Sequence, residues 1–93
     1  MNETILFTLI NGQEIIAKAV GENPGSVNTK NPMVIVQTQE GMGLMPYSFM
    51  MKEEVLFLSS AIAAFGEPVE ELVKQYREHT GEIILPDNKI ILN

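Results

Sequence analysis

Ile5-Leu6-Phe7-Thr8-Leu9-Ile10-Asn11-Gly12-Gln13-Glu14-Ile15-Ile16-Ala17-Lys18-Ala19-Val20 holds two β-rich apolar runs joined by Asn-Gly. Asn and Gly tolerate the positive φ that a two-residue type I′ turn demands, so such a pair between apolar runs is the strongest short-range hairpin signal. With Asn11 and Gly12 as the turn, Ile10 faces Gln13, Thr8 faces Ile15 and Phe7 faces Ile16, which makes an aromatic–β-branched cross-strand pair. Side chains alternate along a strand, so this register sends Ile5, Phe7, Leu9 and Ile16 to one face and Leu6, Ile10, Ile15 and Ala17 to the other. Both faces are apolar. One is expected to fill a core and the other to meet a helix or another subunit.

Working outward, the hairpin supplies strands over about 4–10 and 13–20, and Gly21 to Pro32, rich in Gly, Pro, Asn and Ser, reads as a long polar loop. Met33-Val34-Ile35-Val36-Gln37-Thr38-Gln39 is an extended β-branched run, a third strand over 33–39. Glu40 to Gly43 reads as a turn, 44–51 as a fourth strand with an irregular start at Pro46, and 54–59 as a fifth. Residues 59–65 fit strand or helix equally, because short apolar runs cannot be told apart by period. Val69, Leu72, Val73 and Tyr76 recur at helical spacing between Pro68 and Gly81, with Glu70 and Glu71 early and Lys74 and Arg77 late, which predicts one amphipathic helix over 68–80. Two apolar triplets around Pro86-Asp87-Asn88 predict a last hairpin, 82–85 with 89–92.

The 93 residues are expected to form a single domain, 1–93, near the size where burial only narrowly offsets chain entropy. Hydrophobic residues make up 45% and aromatics only 6%, so an aliphatic core is expected. The absence of cysteine excludes disulfides and thiolate chemistry and fits a reducing, cytoplasmic setting. The Met-Asn-Glu-Thr start lacks a basic leader, and no apolar run approaches the ~20 residues of a membrane span. A net charge of −6, with six scattered basic residues, argues against a general duplex binder.

No residue set declares a reaction. His79 is the only histidine and sits where a helix C-terminus favours its cation, so neither a zinc site nor a Ser-His-carboxylate triad has its parts. Glu53-Glu54 and Glu70-Glu71 point apart and read as solvated faces, and Gly41-Met42-Gly43 lacks the Lys-Ser/Thr of a phosphate loop. Met42, Met45, Met50 and Met51 around Tyr47 and Phe49 form either core filler or an adaptable contact surface. The stretch carrying Asn23, Ser26, Asn28, Thr29, Lys30 and Asn31 has the densest set of uncharged donors and acceptors.

Leu9-Ile10-Asn11-Gly12-Gln13-Glu14-Ile15-Ile16-Ala17-Lys18 resembles the first two strands of the Sm/LSm family, and Asn31-Pro32-Met33-Val34-Ile35-Val36 is similar in placement to its Asn-containing loop and third strand. The resemblance covers about residues 5–58, and the whole chain is similar to small Sm-like proteins of cyanophage and marine metagenomic origin. Four features depart from that pattern. Ala17 stands where the family keeps a strand-bending glycine, Gly21-Glu22-Asn23 replaces its Asp-hydrophobic-x-Asn, and Ser59-Ser60-Ala61 stands in place of the late Arg-Gly or Lys-His motif. The helix also follows the fourth strand, whereas the family's precedes the barrel.

The resemblance implies a mainly β fold: a small, strongly bent five-stranded barrel with one late helix and a short C-terminal hairpin. It further implies a non-enzymatic homo-oligomeric ring that binds single-stranded nucleic acid, RNA ahead of DNA, with a role in RNA or DNA processing and without a cofactor or metal, in the cytoplasm of a host cell if phage-encoded. Asn28, Lys30 and Asn31 become loop contacts by position, and Tyr47 a stacking residue. The alternative is a protein-interaction or assembly module that uses the same ring and binds no nucleic acid, which the acidic charge and the missing base-binding motif favour.

Overall fold

In the computed structural model, which describes residues 3–81, the first hairpin closes on three residues instead of two. Strands β1 (Glu3–Leu9) and β2 (Glu14–Asn23) pair antiparallel with Leu6 opposite Ile16, Phe7 opposite Ile15 and Thr8 opposite Glu14. The Gly12 N–H donates to the Leu9 carbonyl and the Leu9 N–H to the Gln13 carbonyl, both at 2.8 Å, while Gly12 takes φ +95°. This is a tight turn followed by a left-handed glycine, the other hairpin solution that an Asn-Gly sequence permits. The Asn11 side chain selects it: Asn11 Oδ1 accepts the Gln13 N–H at 2.9 Å. The expected pairing of Phe7 with Ile16 is therefore off by one residue, and a one-residue slip exchanges faces. Ile15 and Ala17 join Ile5, Phe7 and Leu9, while Ile16 joins Leu6 on the opposite side.

The expected long loop over 21–32 is instead a second hairpin. Asn23 pairs with Ser26 across Pro24-Gly25, where proline fixes the first turn residue and Gly25 supplies φ +85°. Strand β3 (Ser26–Thr38) thus begins seven residues before the expected Met33. Its pairing with β2 shifts once near Asn31-Pro32 and back near Val20. Asn31, at φ 53°, is the one non-glycine with positive φ among the described residues. Paired bulges bend strands, so the bend here needs no glycine at Ala17.

β3 serves two partners along one edge. Its first part, Ser26–Lys30, pairs with β5 (Glu54–Leu58), and its second, Met33–Thr38, pairs with β4 (Gly41–Pro46). β4 thus starts earlier and ends earlier than the expected 44–51. Pro46 has no N–H to continue it, and the Ser48 hydroxyl oxygen accepts the N–H groups of Met50 and Met51 at 3.0 and 3.3 Å, turning the chain. After β5 one 3-10 turn, Ser59–Ala61, leads to β6 (Ile62–Gly66), which returns to pair with β1. The ambiguous stretch 59–65 is thus a single turn followed by a strand. Six strands occupy five positions in one antiparallel sheet, and β5 and β6 do not pair with each other.

The sheet nevertheless curls. Phe7 on β1 meets Phe57 on β5 edge-on at 5.0 Å and Phe65 on β6 in a stack at 6.0 Å, although those strands lie at opposite ends of the sheet. Tyr47 meets Phe57 at 5.0 Å, so a line of four rings crosses the inner face. The core is aromatic at its centre despite the low aromatic content, with Ile5, Leu9, Ile15, Ala17, Val27 and Val55 around it. On the outer face, helix α1 (Glu70–Thr80) lays Leu72 and Tyr76 on Ile16, Met33 and Leu44. The helix begins two residues after the expected Pro68 and ends as expected, with Gly81 left-handed and its N–H on the Arg77 and Glu78 carbonyls. The hairpin expected at 82–85 and 89–92 lies outside the described residues.

Candidate functional site

The four residues expected to contact nucleic acid all lie along or beside β3, but each is held by the fold. Asn28 pairs in register with Gly21 and Leu56 and is half-buried; its Oδ1 is buried without a hydrogen-bond partner. Lys30 Nζ lies 3.6 Å from Glu53 Oε2. The Asn31 N–H donates to the Glu53 carbonyl at 2.7 Å, and its own carbonyl accepts the Tyr76 hydroxyl at 2.8 Å. The Tyr47 N–H donates to the Pro32 carbonyl at 2.9 Å, and its half-buried ring rests on Phe57. β3 brings Asn28, Lys30 and Asn31 together, yet they form a strand and its bulge, and Glu53 offsets their only cation.

The surface is distinctive elsewhere. On β5, Val55 and Phe57 point inward, while Leu56 and Leu58 are 52% and 58% exposed. Phe65 on β6 is 54% exposed even as it stacks on Phe7. Among the described residues β4, β5 and β6 each have a strand partner on one edge only. β4 is treated differently: α1 lies over it, and Gln75 Nε2 donates to the Met42 carbonyl at 3.3 Å. Bare edges with apolar side chains are templates for pairing with another chain.

Between β4 and β5, Phe49, Met50 and Met51 are 78%, 93% and 55% exposed, and Met42 and Met45 stand half-exposed on β4. These methionines are surface and not core filler, unlike the buried Met33 of β3. Of the two readings left open for Met42, Met45, Met50 and Met51, core filler or contact surface, their exposure favours the surface. Among the described residues no group of three or more His, Asp or Glu could hold a metal ion. His79 is exposed at the end of α1. No described helix is long and apolar enough to cross a membrane.

No family model matches the sequence, and neither does any curated protein.

Proposed function

We propose that this chain is a non-enzymatic assembly module: an Sm-like subunit that forms a closed ring of identical copies, β5 of one against β6 of the next, and offers the Phe49–Met51 loop to a protein partner. The observation that carries this reading is the pair of bare edge strands with Leu56, Leu58 and Phe65 exposed on them. A heterologous edge contact repeats from copy to copy and closes when the rotation fits. The strand arrangement supports the Sm-like part. A single antiparallel sheet that curls until Phe7 of β1 touches both Phe57 of β5 and Phe65 of β6 supports the strongly bent sheet of that reading.

Assembly ranks above nucleic-acid binding because Lys30 is paired with Glu53 and the net charge is −6. Light scattering on the purified chain, with anisotropy of labelled oligo-U, oligo-A and single-stranded DNA, separates the two. The expected result is a multiple of the 10.3 kDa subunit mass and no saturable oligonucleotide binding at near-physiological salt. A monomer at all concentrations removes the ring. Saturable binding that survives salt and is lost in the Lys30→Ala, Asn31→Ala double variant restores the nucleic-acid reading.

A further inference from the structure

β1 is longer than the strand that covers its outer edge. The β1–β2 ladder runs out to Glu3 opposite Ala19, whereas the β1–β6 ladder stops at Leu6 opposite Gly66. Beyond Gly66 the chain leaves the sheet through Glu67 and Pro68 to enter α1. Among the described residues, Glu3, Thr4 and Ile5 therefore have a strand neighbour on one side only. Backbone N–H and C=O groups on such an edge are ready partners for an added strand.

A cleft flanks this bare edge on each face. The inner one, of about 300 Å³, is floored by Ile5, Val27 and Phe65, and the outer one, of about 620 Å³, by Thr4, Val73 and Pro68. Both reach Glu3, Ile5 and Phe65, so they meet across the edge. A strand laid there would send alternate side chains into the two clefts, because side chains alternate across a sheet. The rims carry Glu3, Glu22, Glu67 and Glu70, all exposed, against the single cation Arg77.

We propose that an extended basic peptide adds as a strand to Glu3–Ile5, continuing the line of β6. Its apolar residues enter the inner cleft against Phe65 and Val27. Its lysine or arginine residues enter the outer one, stem along Val73 and charge at Glu67 and Glu70. Long basic side chains suit a cleft with an apolar floor and an acidic rim. The slot lies on β1 beside the β6 edge that the assembly reading uses and shares Phe65 with it, but it needs no second copy.

The test uses the full chain and two labelled, capped peptides, Val-Lys-Val-Lys-Val and Val-Glu-Val-Glu-Val, with backbone amides followed by NMR. The expected result is saturable binding of the lysine peptide alone, with the largest shifts across Glu3–Ile5 and new exchange protection at Thr4, whose N–H points away from β2. A Glu67→Gln, Glu70→Gln variant should weaken it by about fivefold, the size two exposed charge pairs supply. Glu40→Gln, in the turn after β3, should leave it unchanged. Equal binding of both peptides, or shifts that bypass Glu3–Ile5, would overturn the proposal. So would a Thr4 amide that is already protected in the free chain, because the slot would then be filled by this chain itself or by a second copy. Because the readout is local to β1, failure here leaves the ring standing, and failure of the ring leaves the slot standing.

Discussion

The Tyr76 hydroxyl lies 2.8 Å from the carbonyl oxygen of Asn31, joining the buried side of the helix to the bulge that bends the sheet. The same hydroxyl is 3.0 Å from the Lys30 carbonyl, so one donor spans the irregular step in β3. Tyr76 is 1% exposed, which leaves those carbonyls little recourse to water if it is lost. Tyr76→Phe should keep the packing and cost about 1–3 kcal/mol, the range for stranding a buried polar group. Urea denaturation measures it, and an unchanged midpoint would show that the helix is held by apolar contact alone.

The same residue makes stability depend on alkaline pH. Burial pushes the Tyr76 hydroxyl from its ordinary 10 up to about 12, outweighing a backbone hydrogen bond at Lys18 that pulls it down. Since the folded state holds this proton to higher pH than the unfolded state, the stability it contributes is complete below pH 10 and is lost as pH rises toward 12. Thermal melts across that window should fall more steeply for the natural chain than for Tyr76→Phe. Parallel curves would refute the assignment.

Asn31 sits at φ 53°, where asparagine is tolerated and β-branched residues are strained. Asn31→Gly should be near neutral, whereas Asn31→Val should cost about 1–3 kcal/mol. Scanning calorimetry of the two variants distinguishes a backbone requirement from a side-chain one, since loss of a side-chain contact would lower both.

Lys30 and Glu53 form a pair whose side chains are 38% and 59% exposed. Such pairs contribute about 0–1 kcal/mol and are screened by salt. Lys30→Ala should therefore lower the melting midpoint by no more than about 4–8 °C, what 1 kcal/mol does in a domain of this size. A larger loss would reveal a role beyond this pair.

The turn at Asn11-Gly12 shows how much of the fold the sequence carried. That a hairpin forms there was legible, because both residues accept turn geometry. Its register was not, because Asn-Gly serves the two-residue and the three-residue closure alike, and only the Asn11–Gln13 contact decides. Gly12 at φ +95° is the residue that closure needs, so Gly12→Val should cost about 1–3 kcal/mol, read by denaturation. Unaltered stability would mean that the turn tolerates another conformation.

The helix from the Leu72-Tyr76 spacing and its Gly81 stop were also legible, since both are local. The strand hidden in Ser26–Pro32 was not. Its polar residues resemble a loop, and it is held by partners far along the chain, including Val55, whose carbonyl accepts the buried Thr29 hydroxyl at 2.7 Å. For the same reason Asn28, Lys30 and Asn31 looked free in sequence and are engaged in the sheet. The exposed Leu56, Leu58 and Phe65 could not be picked out from other apolar strand residues until the strand order was known.

Assembly through the sheet edge is the central claim, and sedimentation velocity of the natural chain beside a Leu56→Lys, Leu58→Lys variant tests it most directly. Both side chains point away from the core on an uncovered edge, and lysine on an edge strand blocks pairing without emptying the interior. The natural chain should sediment as one discrete multimer, and the variant as a folded monomer with the same circular dichroism. A natural chain that sediments as a monomer, or a variant that keeps the multimer intact, would contradict it.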